Sequence, residues 1–157
     1  MLFRVWAPKV ENVEIEILHQ SRRMSCGADG WWKLEVPAAR AGTDYAYRLD
    51  GGAPVPDPRS PWQPEGVEGP SRVLDHQAFA WSDRGFQARP LSAAIIYELH
   101  VGTFSARGTF DAVVAHLDHL VDLGVTHVEL MPVAEFPGSR GWGYDGADLY
   151  APYHHYG

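Results

Sequence analysis

Hydrophobic and polar residues alternate along the first fifty positions of the chain. Phe3, Val5 and Ala7 form one such run, followed by Val13, Ile15 and Ile17, then Trp32, Leu34 and Val36, then Tyr45, Tyr47 and Leu49. A period of two buries one face of a strand and leaves the other to water, so these runs predict short strands. Ala28-Asp29-Gly30 and Asp50-Gly51-Gly52 carry the turn chemistry that separates them. Short strands at spacings of about 8 to 12 residues predict a β-sandwich.

Between residues 51 and 71 the pattern changes. Pro54, Pro56, Pro58, Pro61, Pro64 and Pro70 lie among four glycines. Proline has no N–H to give to a ladder and stiffens the chain, which predicts an ordered linker or long loop and not a flexible tether. Arg72 to Leu74 predicts a last short strand, and Phe79 with Trp81 is expected to close the sandwich. The boundary is expected near Ala88, giving a sandwich with its linker at 1–88 and a second unit at 89–157.

Beyond the boundary the period becomes 3.6. Ala94 to His100 is an apolar run of strand length, and Thr109 can cap one helix carrying Phe110, Val113, Val114, Leu117, Leu120 and Val121 on its apolar face. Asp111 favours the positive end of the helix dipole, Gly124 is the expected left-handed terminator, and Thr126 to Met131 predicts a second buried strand. Strand, helix and strand with short connections make a right-handed parallel βαβ unit. Two parallel strands and a helix leave an apolar face and two open edges. The expected outcomes are the rest of a larger sheet, homo-oligomer formation through the exposed sheet, or a loosely folded C-terminal part. A complete (β/α)8 barrel takes roughly 250 residues, so residues 89–157 are expected to hold only its incomplete start.

Composition narrows the class of partner. With 157 residues, 45% hydrophobic and 12% aromatic, the chain can bury an ordinary core. Acids outnumber bases 20 to 13, for a net charge of −7, which argues against nucleic acid, whose phosphates need a clustered cationic surface. A neutral substrate fits better. The cations are eleven Arg with only Lys9 and Lys33, a bias carrying no function. Cys26 is the single cysteine; it cannot form an internal disulfide, suits a reducing compartment and is expected to be an inert packing residue. No segment approaches the roughly 18 apolar residues of a membrane helix, and no leader is expected before Phe3. A cytoplasmic location, no membrane association and no cofactor are the expectations.

Candidate chemistry concentrates after the second strand. Pro132 to Tyr156 contains Glu135, Phe136, Arg140, Trp142, Tyr144, Asp145, Asp148, Tyr150, Tyr153, His154, His155 and Tyr156. In a barrel, loops following the strands build the site. Aromatic rings lie against the C–H faces of sugars and carboxylates accept their hydroxyl hydrogens, so the composition suits carbohydrate; rings anchoring a long loop give the structural alternative. His116 and His119 lie three apart without a third ligand and read as a solvated face, not a metal site. His154 and His155 are adjacent and expected to diverge. Of Trp31 and Trp32 only one can point inward, and the outward ring is a candidate glucan platform beside the alternative of a chance surface Trp.

The run Ile96-Tyr97-Glu98-Leu99-His100-Val101-Gly102-Thr103-Phe104, with Gly108-Thr109-Phe110, resembles the first strand and loop of the α-amylase superfamily (glycoside hydrolase family 13), the group that includes glycogen branching and debranching enzymes. More narrowly, Leu117-Asp118-His119-Leu120, Leu123 to Phe136 and Trp142-Gly143-Tyr144-Asp145-Gly146 resemble the malto-oligosyltrehalose trehalohydrolase family. Phe3-Arg4-Val5-Trp6-Ala7-Pro8 resembles the start of that family's accessory domain, and Asp57-Pro58, Trp62-Gln63-Pro64 and Gly69-Pro70-Ser71 its linker. The resemblance implies an immunoglobulin-like β-sandwich (E-set, carbohydrate-binding module 48-like) followed by the first βαβ part of a (β/α)8 TIM barrel. It implies a retaining glycosidase acting on maltooligosyl trehalose, an α-1,4-glucan, in which one carboxylate attacks the anomeric carbon and a second, about 5 Å away, serves as acid and base. Those carboxylates are expected on later strands; Glu98, Glu129, Glu135, Asp145 and Asp148 do not match them, and the 157 residues alone are expected to be inactive. Tyr144, with Trp142 and Asp145, is implied as substrate-binding, and Tyr97, Glu98 and His100 as support of the site. A branching or debranching relative and a non-catalytic glucan-binding module are the alternatives.

Overall fold

The computed structural model describes all 157 residues. Eight strands occupy the first half: β1 (Leu2–Trp6), β2 (Val13–Ile17), β3 (Gln20–Arg23), β4 (Ser25–Cys26), β5 (Trp31–Glu35), β6 (Asp44–Leu49), β7 (Pro54–Val55) and β8 (Ser71–Arg72). They form two antiparallel sheets, β1-β5-β4 and β3-β2-β6-β7, with β8 also on β6. The alternating side chains meet between them: Phe3, Val5 and Trp32 from one sheet pack with Val13, Ile15, Ile17, Tyr45 and Tyr47 from the other, closed by Met24, Val36 and Val73. Phe3 and Tyr45 contribute an edge-to-face ring pair at 4.8 Å. Burying each of these large side chains contributes about 1.5–3 kcal/mol.

The additional strands have physical reasons to escape a periodicity reading. β3 is Gln20-Ser21-Arg22-Arg23, exposed throughout, and it exists because the preceding turn forces the chain back along β2. Leu18 and His19 hold that turn with φ of 52° and 61°, the positive values that match a two-residue hairpin to strand twist. Neither residue is the Gly or Asn that signals such a turn. β7 contains Pro54, tolerated because the strand pairs only with β6 and lies at the sheet edge.

Three expectations are corrected. Phe79 and Trp81 do not close the sandwich: they pack edge-to-face on each other and remain 64% and 71% exposed. Cys26 is not a packing residue; it lies at the end of a two-residue edge strand with its thiol exposed, donating to the Gly27 carbonyl. The single helix expected after Thr109 is instead two short ones, α2 (Phe110–Val114) and α3 (Leu117–Asp122), and a further helix, α1 (Val101–Phe104), precedes them.

The break between α2 and α3 follows from His116. Its Nδ1 donates to the Ala112 carbonyl at 2.7 Å, taking the acceptor that its own backbone N–H would use in a continuous helix. That N–H turns to the Val113 carbonyl and the backbone leaves the helical region at φ −109°, ψ 4°. The ends match the sequence expectation: Thr109 Oγ1 accepts from the Ala112 N–H, and Gly124 stops α3 at φ 85°.

The helices connect β9 (Ile96–Leu99) to β10 (His127–Leu130), which pair parallel from His127↔Ile96 to Leu130↔Leu99. A 3₁₀ turn at Leu91–Ala93 precedes β9. After β10 the chain forms an antiparallel pair, β11 (Ala134–Glu135) with β12 (Asp148–Pro152), in register only with an irregularity between Ala134 and Glu135. Leu99, Val101, Val113, Leu120, Phe136, Tyr153 and Tyr156 make a second core. Ile95, Ile96, Val128 and Leu130 remain exposed on the parallel pair, as do Val121 and Leu123 on the helical side. No helix is long and apolar enough to cross a membrane. By residue content this is a mostly-sheet chain with few helices.

The proline-rich segment is tied down at Asp57. Its N–H donates to Ser71 Oγ, while its carboxylate accepts from the Tyr45 hydroxyl and the Arg59 N–H. Burial pushes the Asp57 carboxyl above the ordinary carboxylate range, and the Arg59 N–H and Tyr45 bonds act in the opposite direction.

Two substitutions test this local reading. Thr109→Ala removes an N-cap and should lower stability by about 1 kcal/mol in urea unfolding; no change would show that the cap contributes nothing. Gly143 has φ 88° and a Cβ there would overlap the Pro132 carbonyl, so Gly143→Ala should disturb the loop more severely than the cap loss. Wild-type stability in Gly143→Ala would contradict the loop geometry.

Candidate functional site

The parallel pairing brings the ends of β9 and β10 side by side, and a cleft of about 760 Å³ opens beyond them. His100 and Thr103 line it from the β9 side and Met131 from the β10 side. Ser139, Arg140, Gly141 and Trp142 come from the loop between β11 and β12, and Phe136, Tyr153 and Tyr156 form an aromatic floor.

The floor is rigid because its rings pack on one another. Phe136 stacks on Tyr153 at 4.1 Å with 19° between planes, and Tyr153 meets Tyr156 edge-on at 4.9 Å. The Tyr153 hydroxyl donates to the Gly138 carbonyl at 2.8 Å, which fixes the start of the loop. Burial raises both phenols, with Glu135 adding to the effect at Tyr153 and Tyr153 at Tyr156, so both remain protonated donors at neutral pH.

His100 connects floor and loop. Its Nε2 lies 2.9 Å from the Gly141 carbonyl and 3.2 Å from the Tyr156 hydroxyl, while its Nδ1 lies 3.2 Å from Thr103 Oγ1. A carbonyl can only accept, so Nε2 carries hydrogen; in the neutral ring Nδ1 then accepts from Thr103. Gly102 is needed beside this contact: a Cβ would press on both the His100 and Tyr156 rings at 3.0 Å.

Of the residues singled out from sequence, His100 and Trp142 line the cleft. Trp142 and Tyr144 project from the loop, 75% and 72% exposed, and Asp145 lies beside Gly141. Tyr97 packs edge-on against Phe104, and Glu98 is exposed on β9. The cleft thus offers ring faces together with the Arg140 guanidinium as a donor, an arrangement suited to a neutral polyhydroxylated ligand. Glycoside cleavage by a carboxylate pair needs two such groups about 5 Å apart, and the lining residues include none.

Sequence reasoning did not single out Thr103 or Gly102, nor the pairing of Glu135 with His154. Glu135 has no exposed surface, and its carboxylate accepts from the His154 N–H at 2.7 Å and from Nδ1 at 2.9 Å. His154 and His155 do not diverge as expected: their rings lie 4.0 Å apart because both sit in a turn where Glu135 holds one and Tyr153 contacts the other. His116 and His119 are exposed on the helical side, and no group of three or more His, Cys, Asp or Glu residues is placed to hold a metal. Trp32 points into the sandwich core, its Nε1 donating to the Ala7 carbonyl; Trp31 points outward, with the Arg59 guanidinium 5.9 Å from its ring.

No protein-family model matches the chain. Malto-oligosyltrehalose trehalohydrolases are 39–48% identical to it over 99% of its length. The protein of that name from Mycobacterium tuberculosis is 48% identical, and the chain spans 27% of that relative's length. A 1,4-alpha-glucan branching enzyme from Vibrio cholerae is 35% identical over 88% of the chain, which covers 21% of that enzyme. Among solved structures, a Salmonella typhimurium protein provisionally described as an alpha amylase superposes with TM-score 0.96 at 44% identity, covering 99% of this chain and 27% of that one. A Paenibacillus barengoltzii pullulanase in complex with maltohexaose and alpha-cyclodextrin superposes with TM-score 0.82 at 25% identity, covering 99% of this chain and 31% of that one. Over nearly its whole length the chain is therefore homologous to the malto-oligosyltrehalose trehalohydrolases, of which it spans about a quarter, and it shares its fold with solved enzymes of the α-amylase group.

Proposed function

We propose that residues 1–88 are an immunoglobulin-like accessory sandwich with its linker and that residues 89–157 are the opening βαβ part of a (β/α)8 barrel. On this reading they belong to a cytoplasmic retaining glycosidase that hydrolyses the α-1,4 bond beside the terminal trehalose of maltooligosyl trehalose. The observation that carries it is the cleft at the ends of two parallel strands, floored by aromatic rings and edged by Arg140, in a chain so similar to trehalohydrolases. Barrel enzymes build their sites at this end of the strands.

Each residue then has a role. Trp142 and Tyr144 present their rings to the sugar and Asp145 accepts from its hydroxyls. His100 holds the Gly141 carbonyl and so sets where Trp142 stands, while Tyr97 and Glu98 support the first strand. The nucleophile and the acid–base carboxylate come from later strands of the full-length enzyme, and the exposed faces of Ile96, Val128 and Leu130 meet that remainder.

The 157-residue protein should release no trehalose from maltooligosyl trehalose, and trehalose production by it would overturn this division of labour. It should bind maltooligosaccharides weakly in calorimetry, with Tyr144→Ala or Trp142→Ala weakening binding by about tenfold, the scale of one lost ring contact. Unchanged affinity in both variants would remove the cleft from the account.

A second reading rests on the outer face of β1 and β5. Trp6 is 59% exposed and pairs across the strands with the outward Trp31. Two such rings side by side suit a glucan-binding module without catalysis. Glycogen binding that survives Tyr144→Ala and disappears in Trp31→Ala would favour it; retention in Trp31→Ala would exclude it.

A further inference from the structure

The proline-rich segment reaches the β11–β12 pair at Gln63. That side chain has no exposed surface, yet neither its amide nitrogen nor its amide oxygen has a hydrogen-bond partner. Its amide lies against the carboxyl of Asp148 on β12, whose Oδ2 is also buried and unpartnered. Across the strand pair Asp148 stands opposite the fully buried Glu135.

The charged and titratable surroundings of Asp148 are almost all acidic. Glu135 faces it from β11, with His154 engaged on both Glu135 oxygens. Asp57 approaches from the proline-rich segment, already engaged with Tyr45 and the Arg59 N–H. The Tyr153 phenol also lies within reach of the Glu135 charge. None of the ion pairs of the molecule joins a Lys or Arg to Asp148 or Glu135.

An ionised carboxylate can accept but not donate, so in that state the Gln63 oxygen has no donor, and the Asp148 charge lies near that of the fully buried Glu135. One proton from solvent resolves both problems. The Asp148 Oδ2–H donates to Gln63 Oε1, the Gln63 Nε2–H donates to the other Asp148 oxygen, and the three unpartnered atoms are satisfied in one cyclic acid–amide pair. The amide's orientation is set by the bonds available to it.

We propose that Gln63 and Asp148 form a proton-operated latch that fastens the proline-rich segment to the β11–β12 pair carrying the candidate site loop. The latch stands whether or not the cleft takes a glucan. Burial, reinforced by the Glu135 and Asp57 charges, moves the Asp148 carboxyl above the ordinary aspartate range and outweighs the Gln63 contact, which acts in the opposite direction. The folded chain then keeps a proton that the unfolded chain releases near pH 3.9. Latch stability is complete below that unfolded value and is lost as pH rises through the folded midpoint of Asp148.

The test is NMR on the 157-residue chain carrying ¹³C-labelled aspartate carboxyls, followed from about pH 4 to pH 8 alongside the backbone amides. Asp148 should titrate above the ordinary aspartate range, and the amides of Gln63, Glu65, Gly66, Ala134 and Glu135 should shift with the same midpoint. In Asp148→Asn, which keeps a neutral amide pair with Gln63, that shared step should vanish and the fall in urea-unfolding stability with rising pH should flatten. An Asp148 midpoint in the ordinary range, amides that follow His154 instead, or a step that persists in Asp148→Asn would each overturn the latch. Should Asp148→Asn fail to fold, the wild-type midpoints alone decide.

Discussion

The parallel pairing of β9 with β10 is the contact on which the candidate site depends. Parallel hydrogen bonding places both strand ends at the same edge, so His100 after β9 and Met131 after β10 emerge together. The chain that follows β10 must cross that edge, and it returns as the β11–β12 pair with its loop over the opening. His100 then bonds the loop at Gly141 and the floor at Tyr156. A slip of one residue in this pairing would turn every side chain of β9 to the opposite face and separate His100 from both partners.

Between the two cores lies a junction of unusual polarity. The proline-rich segment contributes Asp57 and Gln63 to a buried cluster with Glu135 and Asp148, where most junctions would use apolar residues. Each such group is expensive unless satisfied. The cluster satisfies Asp57 and Glu135 with bonds from Tyr45, Arg59 and His154 and leaves Gln63 with Asp148 to resolve their own. Arg59 adds a second tie, its guanidinium between the rings of Trp31 and Tyr150 at 5.9 and 5.5 Å. Sandwich, linker and site loop therefore meet through polar and cation–π contacts, which depend on geometry and charge more than area burial does.

The strands with strict alternation were legible from the sequence because their inward faces are consistently apolar, as in Phe3 and Val5 or Val13, Ile15 and Ile17. The parallel pair was legible as two apolar runs of strand length, although Ile96, Val128 and Leu130 stay exposed, and the Thr109 cap and the Gly124 stop were legible from their helix-end chemistry. What escaped was decided by tertiary geometry. β3 is polar on both faces and follows from a turn that uses Leu18 and His19 in unusual backbone conformations. The helix break at His116 arises from a side chain capturing a backbone acceptor, a choice that hydrophobic spacing does not encode. The site showed the same division: Trp142 and His100 stood out by motif and composition, whereas the buried bond of Glu135 to His154 links residues 19 apart and has no periodic signature.

The central claim is that the cleft beyond β9 and β10, and not the outer face of the sandwich, is where this chain meets an α-glucan. Backbone chemical-shift mapping of the isotope-labelled protein titrated with maltotriose tests it most directly. The account predicts shifts concentrated at His100, Thr103, Arg140 to Trp142 and Tyr156, with Trp6 and Trp31 unmoved; shifts at Trp6 and Trp31 with a silent cleft would contradict it.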